Sequence, residues 1–154
     1  MTQIDMLVAE GRLLRVSTCV PPQVIFEVGD ARSREVYGKP LCHWTCEDNS
    51  RRVLEAMEGL GELDWAIVGG FAFGRNLQFP VAHVWVRKGE VHFDPSWSRM
   101  GEQIVSVEHF RYFAVAEPLP LAGGLEHLKK LAAEWHLEIL EEHPEAWWSE
   151  DHND

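Results

Sequence analysis

Three consecutive stretches between residues 65 and 94 constrain the fold most strongly. Trp65–Phe73, Val81–Arg87 and Glu90–Asp94 are rich in β-branched and aromatic residues, a composition typical of strands. The pair at 88–89, Lys-Gly, predicts a tight hairpin turn between the last two stretches. The chain must therefore build an antiparallel sheet, and other elements must cover its apolar face.

A helix is predicted directly upstream of this sheet, from Cys46 to Met57. Val53, Leu54 and Met57 recur at the spacing of one helical face. Thr45 is the predicted N-cap, because Asp48 follows three residues later and acidic residues suit the positive end of a helix dipole. Gly59 and Gly61 are expected to end the helix.

The remaining segments complete the predicted layout. We expect a short helix and then a strand within residues 3–16, with Gly11 as the break between them. Val24–Val28 is predicted as a strand and the polar residues 29–40 as a loop. A further strand is predicted at Tyr112–Ala116, and an amphipathic helix over residues 125–142.

The order of these elements is a cysteine-bearing helix, an antiparallel sheet and a closing helix. This order predicts a single α+β domain over residues 1–154, in which the cysteine helix packs on the sheet. The acidic tail, residues 143–154, is expected to fray at its end and to present a solvated surface.

The charge of the chain excludes some classes of partner. A formal net charge of −11 is unsuited to neutralising phosphates, so we expect neither a nucleic acid nor an anionic membrane surface as partner. The N-terminal residues have no basic segment followed by an apolar run, and the three cysteines are an odd number. We therefore expect a cytoplasmic protein with reduced thiols.

One cysteine, one histidine and one aspartate occupy positions that suit nucleophilic catalysis. Cys46 lies at a predicted helix start, where the pKa of a thiol is lowered. His83 lies in a strand, and Asp94 ends the next strand. A symmetric hairpin centred on residues 88–89 would pair His83 near residue 94, so that the carboxylate orients the imidazole. Cys46 is then the nucleophile and His83 the base.

These residues carry a resemblance. Cys46-x-x-Asn49, Ile67-Val68-x-Gly70, His83-x-Trp85-Val86 and Asp94-Pro95-Ser96-Trp97 resemble a group of small bacterial and phage proteins of unassigned role. That group is similar to the papain-like and transglutaminase-like superfamily. The resemblance covers roughly residues 40–98. It implies Cys46 as nucleophile, His83 as base and Asp94 as the orienting residue.

Two departures from the papain-like pattern leave alternatives open. No Gln precedes the cysteine, so the oxyanion would be held by the Cys46 backbone N–H together with Asn49 or Trp44. Cys42, followed by His43, is an alternative nucleophile, but Cys46 is preferred because Asn49 and the helical pattern follow it.

Further residues are candidates for contact with the substrate, for a metal site and for a special backbone conformation. Trp44, Asn49, Trp85 and Trp97 are expected to contact the substrate. No tight Cys-x-x-Cys or His-x-x-x-His pair supports a metal site at His83, His92, Asp94 and Cys46, so neither a metal nor another cofactor is expected. Gly69-Gly70 indicates a bulge or a close backbone approach.

Two functions follow from these patterns. The first is a cysteine-dependent hydrolase or acyltransferase of the peptidase, amidase, deamidase or transglutaminase type, acting on a protein, peptide or amide. The second is a non-enzymatic binding or inhibitor protein of phage or bacterial origin on the same fold, which the acidic composition and the seven Trp suit.

Overall fold

The computed structural model describes residues 2–16, 19–20, 23–41, 45–73, 78–96, 111–120 and 123–141. Within them the helices are α1 Gln3–Ala9, α2 Gln23–Tyr37, α3 Cys46–Gly59 and α4 Gly124–Glu134. The strands are β1 Leu13–Val16, β2 Cys19–Val20, β3 Trp65–Phe73, β4 Val81–Lys88, β5 Val91–Phe93 and β6 Arg111–Val115. The predicted α+β class, with a cysteine-bearing helix and a C-terminal helix, is confirmed.

The described residues group into two compact units. Unit 1 takes its residues from 1–17, 68–83 and 105–154, and unit 2 takes its residues from 18–67 and 84–104. Strands β1, β6 and β3 are neighbours in that order in unit 1, and β4, β5 and β2 are neighbours in that order in unit 2. All these pairs are antiparallel except β2–β5, which is parallel.

In unit 1 the β3 and β6 backbones approach closely at Gly70. A Cβ added at Gly70 would collide with the carbonyl oxygen of Phe113 and would lie 2.8 Å from the Cα of Ala114. Only glycine leaves room for this approach, which confirms the close backbone contact predicted for the Gly69-Gly70 pair. The Phe71 ring packs edge-on against Trp135, the C-cap of α4, at 6.4 Å between ring centroids.

Helix α4 ends eight residues before the predicted boundary at residue 142. His136 adopts a left-handed conformation, with φ of 53°. The His136 and Leu137 amides donate to the carbonyl oxygens of Ala133 and Ala132 at 3.3 and 2.8 Å. These two bonds form a Schellman motif, which turns the chain away from the helix axis. The apolar spacing beyond residue 135 therefore does not continue the helix.

Unit 2 is built around one apolar cluster beneath α3. The fully or nearly fully buried members are Leu41, Val53, Met57, Trp65 and Val86, and Phe93 packs against them. Since Val53 and Met57 belong to α3, and Val86 and Phe93 to β4 and β5, the cysteine helix packs on the sheet as predicted.

The predicted strand at Val24–Val28 is wrong, and so is most of the predicted loop over 29–40, because helix α2 runs from Gln23 to Tyr37. Ile25, Phe26 and Val28 pack on the cluster beneath α3, so tertiary contacts override the strand preference of their β-branched and aromatic side chains. Gly29 and Ser33, four residues apart, are the buried positions that follow. The polar residues between 30 and 37, which were predicted to form a loop, lie mainly on the solvent side of this helix.

The N-terminal prediction is confirmed. Helix α1 begins with a capping box in which Thr2 and Asp5 bond reciprocally, and β1 follows after Gly11, whose φ is 76°. In the described part of the chain, none of the helices combines the length and apolar character that crossing a membrane requires.

Candidate active site

Cys46 is the first residue of α3. The preceding residue, Thr45, has an extended conformation, and its hydroxyl accepts a hydrogen bond from the Asp48 amide at 3.3 Å. Both the predicted helix start and the predicted N-cap are therefore confirmed. Cys46 is 6% exposed and lies where unpaired amides and the helix dipole favour negative charge.

Acidic side chains flank the thiol in the first turn of α3. Glu47 and Asp48 follow Cys46. The Arg51 guanidinium lies 3.7 Å from a carboxylate oxygen of Glu47 and 3.8 Å from a carboxylate oxygen of Asp48. Arg51 offsets part of the repulsion that two carboxylates would exert on a neighbouring thiolate. Arg51 and the two carboxylates thus form a charged cluster beside Cys46.

Ser50 joins the start of α3 to β4. Its fully buried hydroxyl lies 2.9 Å from the Cys46 carbonyl oxygen and 3.1 Å from the Val84 carbonyl oxygen. Ser50 is not among the site residues predicted from the sequence. Its position four residues after Cys46 is the signal, because residues at that spacing share a helix face. Through this hydroxyl the first turn of α3 is held at a defined point of β4.

Asn49 contributes an unpaired buried acceptor to the same turn. The residue is 1% exposed, and no group in the described part of the chain donates to its side-chain oxygen, Oδ1. Its backbone amide is used, since it donates to the Thr45 carbonyl oxygen at 2.8 Å. Asn49 is three residues after Cys46, so the two side chains are neighbours on the helix surface.

The β4–β5 hairpin turns one residue later than predicted. Lys88 pairs with Val91 and Val86 with Phe93, so the turn residues are Gly89 and Glu90. Gly89 has a φ of 59°, as expected for the first central residue of a glycine-led hairpin turn. Carried one residue beyond β5, this register sets position 94 opposite Trp85, whereas the prediction set it opposite His83.

A hydrogen bond between Trp85 and His92 links β4 to β5. The Trp85 indole N–H donates to Nδ1 of His92 at 2.8 Å. Burial lowers the pKa of His92, and the neighbouring Arg87 cation lowers it further, so that the neutral acceptor form is favoured. Trp85 is fully buried, and its predicted contact with the substrate stays a prediction.

Asp94 is fully buried where β5 ends. Its Oδ1 accepts a hydrogen bond from the Ser96 amide at 3.0 Å, which closes a turn through Pro95. This confirms that the Asp-Pro-Ser segment ends a strand. The Ser96 hydroxyl is buried and has no hydrogen-bond partner among the described residues.

His83 is fully buried in β4, in unit 1. Its ring lies beside that of Tyr112 in β6, with 6.1 Å between the ring centroids. Val84, the residue that follows it, is the one whose carbonyl oxygen lies within hydrogen-bond distance of Ser50.

The predicted site residues are thus distributed as follows. Cys46, Asn49, Trp85 and Asp94 belong to unit 2, and His83 is the last residue of its segment in unit 1. Cys42, Trp44 and Trp97 lie outside the described residues. The joint action of Cys46, His83 and Asp94 stays a prediction.

Unit 1 also contains a cavity that the sequence does not predict. It has a volume of about 500 Å³ and is lined by apolar side chains such as Ile4, Phe73 and Phe113 together with the cation of Arg111. The Arg111 guanidinium stacks on the Phe73 ring at 4.3 Å. The lining residues come from stretches that are far apart in the chain, so no local pattern reveals the cavity.

Within the described ranges, no group of three or more His, Cys, Asp or Glu side chains is arranged to hold a metal ion. Comparison of the chain with protein-family models, with curated proteins and with solved structures finds no match.

Proposed function

We propose that this chain is a cysteine-dependent hydrolase or acyltransferase. The observation that carries the proposal is the first turn of α3, where a capped helix start presents Cys46 next to the buried, unpaired acceptor of Asn49. Natural proteins seldom leave a buried polar atom unpaired, and the exceptions concentrate at functional sites. The fully buried Asp94 in the same unit adds support, since burying a carboxylate is costly.

The proposed reaction is acyl transfer through a thioester. His83 takes the proton of Cys46, and the thiolate sulfur forms a bond to the carbonyl carbon of an amide. The C–N bond then breaks, and the His83 imidazolium gives its proton to the leaving amine. Water or an amine attacks the thioester after losing a proton to His83, and the C–S bond breaks to restore the thiolate.

The remaining residues orient and stabilise in this scheme. Asp94 is assigned the carboxylate role that holds the imidazole in the tautomer required of a base. The backbone N–H of Cys46, at the start of α3, is assigned the contact to the oxyanion, and such a donor is worth about 10²–10³ in rate. The substrate is a protein, peptide or small amide, and a reducing compartment such as the cytoplasm would keep the thiol active.

The proposal is tested by measuring thiol reactivity against pH. We expect iodoacetamide to label Cys46 near neutral pH in the wild type, as mapped by mass spectrometry, and at least about tenfold more slowly in His83→Gln, because the base is lost. His127→Gln is the matched control, since it removes an imidazole from α4 without touching β4. Circular dichroism of each variant verifies folding.

The deep burial of Cys46 and His83 favours the second candidate, a binding or inhibitor protein on the same fold. If Cys46 in the folded protein is unreactive, or reacts equally in His83→Gln, the enzyme proposal fails and the binding function takes its place.

A further inference from the structure

We propose that Asn49 makes the site selective for acyl donors with an N–H next to the reacting carbonyl, so that amides are preferred over esters and thioesters. This inference rests on the proposed function and names its substrate class. It assigns Asn49 the role of a hydrogen-bond acceptor for the substrate, whereas the sequence alone predicts only contact or an oxyanion donor.

Among the described residues, none donates a hydrogen bond to the side-chain oxygen of Asn49. Asn49 is only 1% exposed, and this oxygen, Oδ1, is itself buried. Burying an acceptor without a donor destabilises the folded protein. A ligand that brings a donor recovers this loss, whereas a ligand without one does not.

Asn49 and Cys46 lie in the same turn of α3. Asn49 follows Cys46 by three residues on α3, so its side chain adjoins the thiol on one helix surface. The rotation of the helix about its axis is held by the Ser50 hydroxyl, which lies 3.1 Å from the Val84 carbonyl oxygen. The acceptor therefore belongs to the same helix turn as the sulfur, and that turn is held against β4.

Amides and esters differ in the atom that is bonded to the carbonyl carbon. A secondary amide carries its N–H on the atom bonded to the carbonyl carbon, within reach of an acceptor adjoining the nucleophile. An ester has an oxygen at that atom, and its lone pairs face the Asn49 oxygen without a proton between them. A site with a buried polar group rejects an analogue that leaves the group unpaired more strongly than an apolar pocket rejects an added methylene.

The experiment compares two alkylating probes of nearly identical shape, N-methyl-2-chloroacetamide and methyl chloroacetate, which differ in NH against O. The rate of Cys46 modification by each probe is measured by mass spectrometry and divided by its rate with free N-acetylcysteine. We expect this normalised rate to favour the amide by about tenfold in the wild type.

In Asn49→Leu and in Asn49→Ala we expect the preference to fall to near unity while the ester rate is retained. Glu58→Leu is the matched control, because it introduces an apolar side chain at an exposed position of the same helix. It is expected to keep the wild-type preference. Two variants are used so that a folding defect in one, detected by circular dichroism, leaves the other to decide.

The outcomes separate this inference from the proposed function. Labelling of Cys46 with equal normalised rates for both probes, or with a preference that survives both Asn49 variants, overturns the selectivity alone. Loss of both rates in the Asn49 variants means that Asn49 supports the reactivity of the thiol itself, and this result also overturns the selectivity. A Cys46 that neither probe labels overturns the proposed function and this inference together.

Discussion

At the scale of single residues, burial of polar side chains is the most informative feature. Six polar side chains are buried in the described part of the chain, namely Ser33, Asn49, Ser50, His83, Asp94 and Ser96. All but Ser33 lie within or directly beside the predicted catalytic segments, which begin at Cys46, His83 and Asp94. Because burying polar groups costs stability unless they are satisfied, such a concentration is expected where function outweighs stability.

His92 should make stability depend on pH. Its pKa is lowered from 6.5 chiefly by burial, so the unfolded chain binds a proton more readily than the folded chain. The stability that neutral His92 contributes is present above pH 6.5 and is lost as the pH falls through the lower pKa of the folded state. We expect urea unfolding to show a free energy that declines from pH 7 to 5, and a smaller decline in His92→Gln.

Two substitutions separate the proton from the hydrogen bond. Gln keeps an acceptor for the buried Trp85 indole, so at pH 7.5 His92→Gln should unfold close to wild type. His92→Leu removes the acceptor and should lose about 1–3 kcal/mol. Equal pH slopes in the wild type and His92→Gln would contradict the assignment.

At the scale of elements, helices α2 and α3 depend on one glycine for their close packing. A Cβ added at Gly29 would lie 2.9 Å from Cγ2 of Val53 and 3.2 Å from Cδ2 of Leu41. Both neighbours belong to the buried cluster beneath α3, and a β-branched side chain such as Val53 has little freedom to move.

Gly29→Ala should therefore destabilise the protein although alanine is the better helix former. Overpacking costs about 1–3 kcal/mol, and the gain in helix propensity offsets about 1 kcal/mol of it. Gly59→Ala, at the end of α3, is the control, because nothing lies within 4 Å of its added Cβ. Urea unfolding should show a loss for Gly29→Ala and a neutral or favourable change for Gly59→Ala; the reverse order would refute the packing argument.

At the scale of the whole molecule, the net charge of −11 opposes compaction. Like charges repel over distances that salt shortens, since the Debye length falls from about 30 Å at 0.01 M to about 8 Å at 0.15 M. Added salt should therefore stabilise this protein near neutral pH.

We expect the Tm at pH 7.5 to rise by about 2–4 °C between 10 mM and 150 mM NaCl, which corresponds to about 1 kcal/mol for a chain of this size. Near the isoelectric point, about pH 5.1, the same salt step should change the Tm little. An equal rise at both pH values would show that salt acts through something other than the net charge.

Features that neighbouring residues control can be predicted from the amino-acid sequence. Thr45, Cys46 and Asp48 specify the start of α3 through a cap that spans four residues, and the Val-rich run at residues 81–86 specifies β4. The strand class of β3 and the close approach at Gly70 follow from local composition in the same way.

Features that depend on residues distant in the chain are visible only in the folded protein. Residues 24–28 have the composition of a strand, yet packing of Ile25 and Phe26 on the cluster beneath α3 makes them helical. The register of the β4–β5 hairpin, the Trp85–His92 bond and the unpaired oxygen of Asn49 also arise from side chains brought together by folding. Burial and pairing are sums over neighbours in space, and a local sequence pattern does not contain those sums.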